Sequence, residues 1–448
     1  MVFFLPFSGH ALTSQTTRNA IQGSAPYLTF DGGRTRAVDT NGLLGITLSN
    51  GANYTPSTNT SSSSRPIALP VEGQSFADIR MFVPTDTNSV DLSALIGPPN
   101  NYWGDDDGDS GVSATGRLSL SIVDKNGQTV SRNSVLTTCN SPYKVTLSSS
   151  NGTLSTRYGF PNRSTFNASN VIYYVNPKAS PVVCFARPNL RYGKLNELSP
   201  FYDFRGPSSM WDPDNGFIPQ STDPSLYGRN FPTTGANKLY FDLLISGSSQ
   251  PLSWSPVSHG GITVTMSNPT ATSVRVTLIG PYATRSLIES NGPGPLPTIS
   301  LPQTFELVGR DSNGTPVVKY GFTLKQWFVN RGLHHLTYRE NLSWCNSLGY
   351  RMPSVSDLTN AVRTGSYPIS GATPSSSGNY YMRHIGSGFF TEWGQMNDYS
   401  GTGFDNNFNS YYWTSDPNGS YQFVVGPRIG ELYWMSPSSS PGTVCSHP

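Results

Sequence analysis

The acidic run "DDDGDSG" offers closely spaced carboxylates, a ligand type that calcium prefers in proteins. Asp105, Asp107 and Asp109 stand at alternate positions, as do the first ligands of an EF-hand loop. Such a loop needs Gly at its sixth position and Glu at its twelfth, where this sequence has Ser110 and Gly116. An EF-hand is therefore excluded. Two interpretations stay open, a looser calcium site and a solvated acidic turn, and we favour the turn and predict no metal and no cofactor.

The same run contains "GDSG", the sequence around the nucleophilic serine of chymotrypsin-like proteases. Ser110 would need a histidine base, which those enzymes place upstream, and the only upstream histidine is His10 in the apolar N-terminus. The adjacent pair His334 and His335 lacks the i, i+4 spacing of a zinc-binding helix. Because no strong catalytic signature is present, we predict that the protein is not an enzyme. A glycosidase, with paired carboxylates in a cleft, is the weaker alternative.

The aromatic residues near the C-terminus offer binding chemistry instead. Residues 406–423 contain six aromatic residues among Asn, Ser, Asp and Gly. A buried strand would be apolar or alternating, and a disordered tail would have few rings. Tyr and Trp supply contact area at low entropic cost, while Ser, Gly and Asn supply adaptable hydrogen bonds. We predict a receptor-binding surface formed by Asn397, Asp398, Tyr399, Asp405, Asn406, Asn407, Phe408, Asn409 and Tyr411.

The alternative for these rings is that they build a small hydrophobic core. We assign Trp393, Trp413 and Phe423 mostly to the core. The Tyr and Phe rings of the predicted receptor-binding surface are assigned mostly to solvent.

Short alternating segments between turn signals predict a mainly β fold with immunoglobulin-like β-sandwich modules. In "RLSLSIVDKNGQTV", Leu118, Leu120 and Ile122 lie on one face of a strand. The dipeptide Asn-Gly favours hairpin turns. It predicts such turns at 126–127, 151–152 and 313–314.

Helical signals follow residue 321. Thr337 and Glu340 form a capping box, and Gly349 stands where that helix would end. A second capping box, Ser354 with Asp357, predicts a helix through "VSDLTNAV". We expect no further helix before the C-terminus, so this region is predicted to be α+β.

Composition limits the function classes. The chain has 448 residues, 44 Gly and 36 Pro but only 12% charged residues, which favours strands joined by tight turns. The net charge is +2 without a run of Lys or Arg, so we predict no nucleic-acid partner. No segment approaches the roughly 18 apolar residues of a membrane helix, so we expect no membrane span.

Composition shifts divide the chain into five segments. Residues 1–13 resemble the end of a secretory signal peptide, which predicts that the true start lies upstream or that the chain is a fragment. The alternative for these residues is a hydrophobic N-terminal strand. Residues 14–64 are polar and read as an N-terminal segment and linker. We then predict a β-sandwich module over 65–235, an immunoglobulin-like β module over 236–320 and a terminal domain over 321–448.

The four cysteines predict disulfide bonds. None forms a C-x-x-C pair, and an even number behind a secretory signal is typical of a disulfide-bonded protein. Three connectivities are open. We favour Cys139–Cys184 and Cys345–Cys445, because each pair then falls within one predicted domain.

Seven sequence blocks resemble the adhesion domain of large enterobacterial surface adhesins. The resemblance is continuous from about residue 225 to the C-terminus and weaker over 65–224. Residues 321–448 resemble the C-type-lectin-like domain at the tip of intimin and invasin, whose helix-to-last-strand disulfide Cys345 and Cys445 match. The blocks are "GRNFPTTGANKLYFDLLISG", "PLSWSPVSHGGITVTM", "VRVTLIGP", "LPQTFELVGRDSNGTPVVKYGFTLKQWFVNRG", "WCNSLGYRMPSVSDLTNAV", "GFFTEWGQM" and "YYWTSD".

The resemblance implies a secreted or surface-attached bacterial adhesin involved in virulence, whose terminal domain binds a protein or glycoprotein receptor on host or neighbouring cells. The outer-membrane anchor and the long immunoglobulin-like arrays of such adhesins are not recognisable here, so a separate anchoring partner is an option. Residues 321–448 also lack the Glu-Pro-Asn, Gln-Pro-Asp and Trp-Asn-Asp motifs of calcium-dependent lectins, so we expect recognition without calcium. The alternative function is a non-catalytic structural or assembly protein of a bacterial surface appendage.

Overall fold

The computed structural model describes residues 23–332, 334, 336–404 and 410–448. Within these ranges the chain is mostly β, which confirms the predicted fold class at that level. It divides into two units, the first ending at Lys178 and the second beginning at Ala179. The predicted signal peptide 1–13 and the predicted receptor-binding residues 405–409 lie outside the described residues.

The first unit contains short strands and one four-residue helix, α1 (Ser93–Ile96). Its strands are β1 (Tyr27–Leu28), β2 (Ile46–Thr47), β3 (Asn53–Tyr54), β4 (Ile67–Ala68), β5 (Ser89–Asp91), β6 (Trp103–Gly104), β7 (Ser113–Ala114), β8 (Arg117–Val123), β9 (Tyr143–Ser149), β10 (Gly152–Ser155), β11 (Arg163–Phe166) and β12 (Ser169–Asn176). The main sheet has the order β4-β12-β9-β8-β5. Leu118, Leu120 and Ile122 of β8 are buried, which confirms the predicted face.

One sequence prediction about this unit is wrong. The Asn-Gly turn at 151–152 does not close a hairpin, because β9 pairs with β8 and β12 while β10 pairs with β7 and β11. In the segment 14–64, predicted as a polar N-terminal segment and linker, Leu28, Leu43 and Ile46 are buried in the hydrophobic core of the unit. The described strands of this segment have only two residues each, so polar turn residues outnumber the buried ones and hide the pattern.

The second unit contains the remaining strands and most of the helices. Its strands are β13 (Val182–Arg187), β14 (Trp211–Asp212), β15 (Gly216–Phe217), β16 (Thr234–Ala236), β17 (Tyr240–Ser246), β18 (Ser253–Trp254), β19 (Val257–His259), β20 (Ile262–Ser267), β21 (Ser273–Ile279), β22 (Gln303–Arg310), β23 (Pro316–Leu324), β24 (Gln326–Gly332), β25 (Val362–Arg363), β26 (Ile369–Ser370), β27 (Tyr412–Asn418), β28 (Tyr421–Val425), β29 (Leu432–Met435) and β30 (Thr443–His447). The largest sheet has the order β14-β15-β13-β17-β21-β20-β19. β22 and β23 form the antiparallel hairpin predicted from the Asn-Gly turn at 313–314.

One hydrophobic core fills the second unit and runs across two predicted domain boundaries. The boundary predicted at 235–236 cuts β16, which pairs in parallel with β24. The boundary predicted at 320–321 cuts β23. Phe241, Phe322 and Trp393 belong to the same core although the sequence assigned them to different domains. The terminal region therefore shares its core with the strands that precede it.

The helices of the second unit are α2 (Arg285–Glu289), α3 (Tyr338–Ser347), α4 (Val355–Leu358) and α5 (Phe389–Trp393). Both predicted capping boxes are present, at the starts of α3 and α4, and Gly349 follows α3 with φ +79°. α4 is shorter than predicted, because the backbone of Thr359 is extended. The expectation of no further helix is wrong. The sequence contains no clear helix signal for α5, because the helix is only about one turn long and lies between Gly388 (φ +108°) and Gly394.

The unit also contains 3-10 helices at Pro224–Arg229 and Met396–Asp398, and the first unit has others at Asn41–Leu43, Phe76–Asp78 and Thr138–Asn140. Among the described residues, no helix combines the length and the apolar character that a membrane crossing would need.

The cysteines are oxidised. Cys345 at the end of α3 is bonded to Cys445 in β30, which confirms that predicted pair. Cys139 and Cys184 are disulfide-bonded as well, and no cysteine is free. The reason given for the favoured pairing does not hold throughout, because Cys139 belongs to the first unit and Cys184 to the second.

Two fully buried charged side chains tie α5 and its surroundings to earlier parts of the unit. The Glu392 carboxylate accepts hydrogen bonds from the backbone N–H groups and hydroxyls of Thr233 and Thr234 and from the Gly386 N–H. Burial raises the pKa of Glu392, and the hydrogen bonds from Thr234, Gly386 and Thr233 oppose that shift. The Arg383 guanidinium donates to the carbonyls of Asn189 and Glu392. These bonds fix α5 and the segment that precedes it.

Candidate functional site

A three-stranded antiparallel sheet, β27-β28-β29, carries exposed rings on its last strand. β29 pairs with β28 in the register Val424↔Tyr433 and Phe423↔Trp434. The turn between the two strands is closed by the Gly426 N–H, which donates to the Glu431 carbonyl at 2.9 Å. Since neighbouring side chains of a strand point to opposite faces, adjacent rings at 433 and 434 cannot both enter the core. Tyr433 is 44% exposed.

Four rings form a continuous series on this surface. The ring centroids of Tyr411 and Tyr433 are 5.8 Å apart, and those of Tyr433 and Trp434 are 4.8 Å apart and stacked. Tyr367 lies 5.4 Å from Trp434. The Arg363 guanidinium lies over the Trp434 ring, 4.1 Å from its centroid. We call these five residues, Arg363, Tyr367, Tyr411, Tyr433 and Trp434, the aromatic strip.

Tyr367 has an unusual backbone conformation. Its φ is +62°, a region that residues with a side chain rarely occupy, and it stands in the turn between β25 and β26. Its ring is 47% exposed, so burial of the ring does not compensate the strain. Strained residues of this kind cluster at binding sites, where the surrounding structure holds a side chain in position. The turn presents the Tyr367 ring beside Trp434.

The backbone edge of β29 is partly blocked. The Leu432 N–H donates to the Asn379 side-chain oxygen at 2.7 Å, and its carbonyl accepts from the Asn379 amide at 3.0 Å. Arg363 donates to the same carbonyl at 3.2 Å. An incoming strand therefore cannot pair with Leu432. This edge favours recognition through the side chains of the aromatic strip rather than through the addition of a strand.

Arg363 is the single cationic member of the aromatic strip. The pKa values of two ionisable groups near it, Tyr411 and Glu431, are raised, which favours their neutral forms. Burial raises the pKa of Tyr411 to about 12, with a further contribution from Glu431. Burial also raises the pKa of Glu431, against hydrogen bonds that include one from the Tyr411 hydroxyl. The surface thus combines large rings with one cation, and Tyr, Trp and Arg are the residues enriched at energetic centres of protein interfaces.

The predicted exposure of Tyr399 is wrong. Tyr399 is 1% exposed, and its ring packs against Trp393 and Tyr240. Its hydroxyl donates to the Trp393 carbonyl at 3.0 Å and accepts from the Asn189 N–H at 2.8 Å. Because the hydroxyl forms both of these hydrogen bonds inside the protein, the Tyr399 side chain can be buried in the core without an unsatisfied polar group. Trp393, Trp413 and Phe423 are buried, as predicted.

The other predicted surface residues are only partly described. Asn397 is half-buried and Tyr411 is half-buried, while Asp398 is exposed. The Asp398 carboxylate accepts from the Asn189 side chain at 2.8 Å and from Gln395 at 2.9 Å, so it holds a loop in place. Asp405, Asn406, Asn407, Phe408 and Asn409 lie outside the described residues. Their proposed role in receptor binding stays a prediction.

Sequence reasoning missed four members of the aromatic strip, namely Arg363, Tyr367, Tyr433 and Trp434. A usable signal was present for two of them in "GELYWM", where adjacent rings follow a turn glycine. In a strand with one covered face, one of two adjacent rings must point outward. Arg363 and Tyr367 have no such signal, because they reach Trp434 only through the fold.

The carboxylates of the acidic run bind protein groups. Asp107 accepts from the Ser24 N–H at 2.7 Å and Asp109 from the Tyr158 N–H at 3.3 Å, while Asp106 pairs with Arg36. In the part of the chain that the structure describes, no three His, Cys, Asp or Glu side chains are grouped as they would be around a metal ion.

One Ser–His pair has the spacing of a nucleophile and its base, with Ser387 Oγ 2.8 Å from His384 Nδ1. Ser387 is 0% exposed and its hydroxyl also lies 3.2 Å from the Thr373 carbonyl, so a substrate has no access to it. Five surface cavities bordered by described residues have no Asp or Glu in their walls. They therefore do not provide the paired carboxylates of a glycosidase.

No protein-family model and no curated protein sequence matches the chain. Among solved structures, it is similar to invasin, a bacterial integrin-binding protein, with 14% identity over 76% of this chain and 52% of that one and a TM-score of 0.35. It is also similar to a C-terminal 282-residue fragment of intimin in complex with the intimin-binding domain of the translocated intimin receptor, with 11% identity over 75% and 94% of the two chains and a TM-score of 0.32. An intimin mutant from EHEC O157:H7 matches at 14% identity over 49% and 93%, with a TM-score of 0.29. The chain thus spans about half the length of the invasin chain.

Proposed function

We propose that this protein is the receptor-binding part of a secreted or cell-surface bacterial adhesin. Its C-terminal, C-type-lectin-like region binds a protein or glycoprotein receptor on host or neighbouring cells through the aromatic strip. The observation that carries the proposal is the continuous series of rings from Tyr411 through Tyr433 and Trp434 to Tyr367, of which Tyr433 and Tyr367 are exposed. The sequence blocks that resemble enterobacterial adhesins support the same class of function.

Three features of the aromatic strip support binding rather than packing. Tyr433 and Tyr367 are 44% and 47% exposed, although apolar surface of this kind is usually covered in a stable protein. Tyr367 is held in a strained conformation with its ring beside Trp434. Arg363 adds a planar cation on the Trp434 ring, which widens the flat surface available to a partner.

The test compares the parent chain with a double variant, Tyr433→Ala with Trp434→Ala. Binding of the purified proteins to host cells and to bacterial cells is measured by titration in flow cytometry. We expect the double variant to bind at least about tenfold more weakly, which corresponds to about 1.4 kcal/mol of binding free energy. Its melting temperature is measured as well, because Trp434 packs partly against the hydrophobic core and its loss should lower stability while the protein stays folded at the assay temperature.

Tyr421→Ala is the matched control. Tyr421 lies in β28 of the same sheet and is 39% exposed, but it is not part of the ring series. This variant should bind like the parent. Loss of binding in Tyr421→Ala to the same degree, or parent-like binding of the double variant, would show that the aromatic strip is not the receptor site. Binding of the parent to bacterial cells alone would exclude a host receptor and restrict the receptor to a bacterial surface, an outcome that the alternative function in surface-appendage assembly shares.

A further inference from the structure

A second concave site lies in the same unit and is not part of the aromatic strip. It is a cavity of about 410 Å³ between the segment after β16, the loop after β21 and strand β24. This volume falls in the range of roughly 300–1,000 Å³ that is typical of small-molecule sites. Described residues form its walls, and no Asp or Glu is among them.

The cavity is positively charged on one side because of Arg331. This residue is 2% exposed, and its guanidinium donates to the carbonyls of Ile288 and Ser290 and to the Asn341 side-chain oxygen. These acceptors are neutral, and Arg331 forms no ion pair with a described residue. The negative charge of Glu340 acts on Arg331 without forming an ion pair with it. The Glu340 carboxylate accepts hydrogen bonds from Thr337 in the capping box of α3. A buried cation without an anion leaves a positive potential at the cavity wall.

Lys238 also borders the cavity and adds a second positive charge. It is exposed, forms no ion pair with a described residue, and has φ +66°. Its backbone N–H donates to the Leu278 carbonyl at 2.8 Å, which fixes the strained turn between β16 and β17. The backbone of Lys238 is therefore fixed at the border of the cavity, and its side chain is accessible to a ligand.

The remaining wall offers a polar donor and an apolar surface. The side-chain nitrogen of Asn330 is buried and has no hydrogen-bond partner among the described residues. It faces Gly403, where an added Cβ would lie 3.2 Å from it. Phe328 is buried at the base, and the Tyr282 ring, 53% exposed, stands at the rim. The cavity therefore suits a compact ligand with an anionic group, hydrogen-bonding groups and an apolar face.

We propose that this cavity binds a carboxylate-bearing ligand about the size of a monosaccharide, with the carboxylate near Lys238 and the ring against Tyr282. Two sources share this chemistry, an acidic sugar residue and the C-terminal residue of a peptide. Lysine and arginine charges in a wall that contains no Asp or Glu favour the carboxylate, and a ring face stacks on the tyrosine. The site acts independently of the receptor surface proposed above.

The test uses the full chain and ligand-observed NMR titrations with four probes. These are N-acetylneuraminic acid, its methyl ester, N-acetylphenylalanine with a free carboxylate, and N-acetylphenylalanine amide. We expect at least one free acid to bind about tenfold or more tightly than its neutral counterpart. Binding of only the sugar acid identifies an acidic sugar as the source, and binding of only the amino acid derivative identifies a peptide terminus. Absence of binding by both acids, or equal binding of acid and neutral probe, would overturn the proposal.

Variants locate the site. Lys238→Gln should weaken binding of the acid by about tenfold or more. Lys125→Gln, which removes an equal charge from an exposed turn of the first unit, should leave binding unchanged. Ala283→Leu inserts a larger side chain into the cavity wall and should also abolish binding while the protein stays folded. The Tyr433→Ala, Trp434→Ala double variant should bind the acid like the parent. Equal losses in Lys238→Gln and Lys125→Gln would reveal non-specific attraction and refute the site.

Discussion

Tyr399 illustrates how far the type of a residue can mislead about its role. Its tyrosine ring among small polar residues has the composition of a binding loop, yet both hydrogen bonds of its hydroxyl end inside the protein. Tyr399→Phe leaves the Asn189 N–H and the Trp393 carbonyl without their partner, and an unsatisfied buried group costs about 1–3 kcal/mol. We therefore expect a lower free energy of unfolding for Tyr399→Phe, and a loss of about 3–5 kcal/mol for Tyr399→Ala, measured by urea denaturation.

Tyr433→Ala is the control for the two Tyr399 variants in the measurement of the free energy of unfolding. Its ring is partly exposed and its replacement should change the free energy of unfolding by no more than about 0.5 kcal/mol. If Tyr399→Phe were as stable as the parent, or if Tyr433→Ala were the more damaging change, the assignment of these two rings to core and surface would be reversed.

The capping box of α4 gives a prediction at the scale of the element. The Asp357 carboxylate accepts from the Ser354 N–H and hydroxyl, from Gln326 and from Arg351. Burial raises the pKa of Asp357, but the donors from Arg351, Gln326 and Ser354 outweigh it, so that its pKa lies below the ordinary 3.8. A group with a lowered folded-state pKa contributes stability above its unfolded pKa, and this contribution is lost as the pH falls through the folded value.

We accordingly expect the melting temperature of the parent to fall when the pH drops from about 5 toward 2, and part of that fall to be absent in Asp357→Asn. The variant should be less stable than the parent near neutral pH, and the two curves should converge in acid. Parallel curves for the two proteins over this range would show that Asp357 does not link stability to pH.

Elements with a strong local signal were predictable from the sequence, and elements defined by distant partners were not. The helix α3 combines a capping box with Gly349, and the hairpin β22–β23 has Asn-Gly between two alternating strands. By contrast, the Asn-Gly turn at 151–152 has the same local signal, but β9 and β10 take partners elsewhere in the chain.

α5 is too short for a periodic pattern. Its stability comes from Glu392, which binds Thr233 and Thr234 far away in sequence.

The same distinction applies to the candidate site. The aromatic composition of the terminal region was visible in the sequence, and Tyr411 was identified there. The position of Arg363 over Trp434 was not, since the two residues are brought together only by tertiary structure.

At the scale of the whole molecule, the second unit should fold as one piece. The strand β16 pairs with β24, and the buried carboxylate of Glu392 depends on Thr233 and Thr234. In a fragment of residues 321–448 this carboxylate would lose those donors, and an uncompensated buried charge costs about 3–5 kcal/mol. We expect residues 179–448 to give a cooperative melting transition, whereas residues 321–448 should not.

Both fragments should be expressed under oxidising conditions, because the Cys345–Cys445 bond is present in each. Circular dichroism melting curves and amide signal dispersion in NMR spectra separate the two outcomes. A cooperative transition for residues 321–448 would mean that the terminal region is an independent domain after all.

Under the proposed adhesin function, the bond between Cys345 and Cys445 has a mechanical consequence. It closes a loop with a sequence separation of 100, and Tyr433 and Trp434 lie much nearer along the chain to Cys445 than to Cys345. Tension between these two rings and the chain upstream of Cys345 therefore passes through the short segment after Trp434 and across the sulfur–sulfur bond. The longer arm of the loop, which contains α4, α5 and β27, carries little of the load. When a receptor pulls on the protein in shear flow, the disulfide bond transmits the force, and most of the terminal region is not stretched.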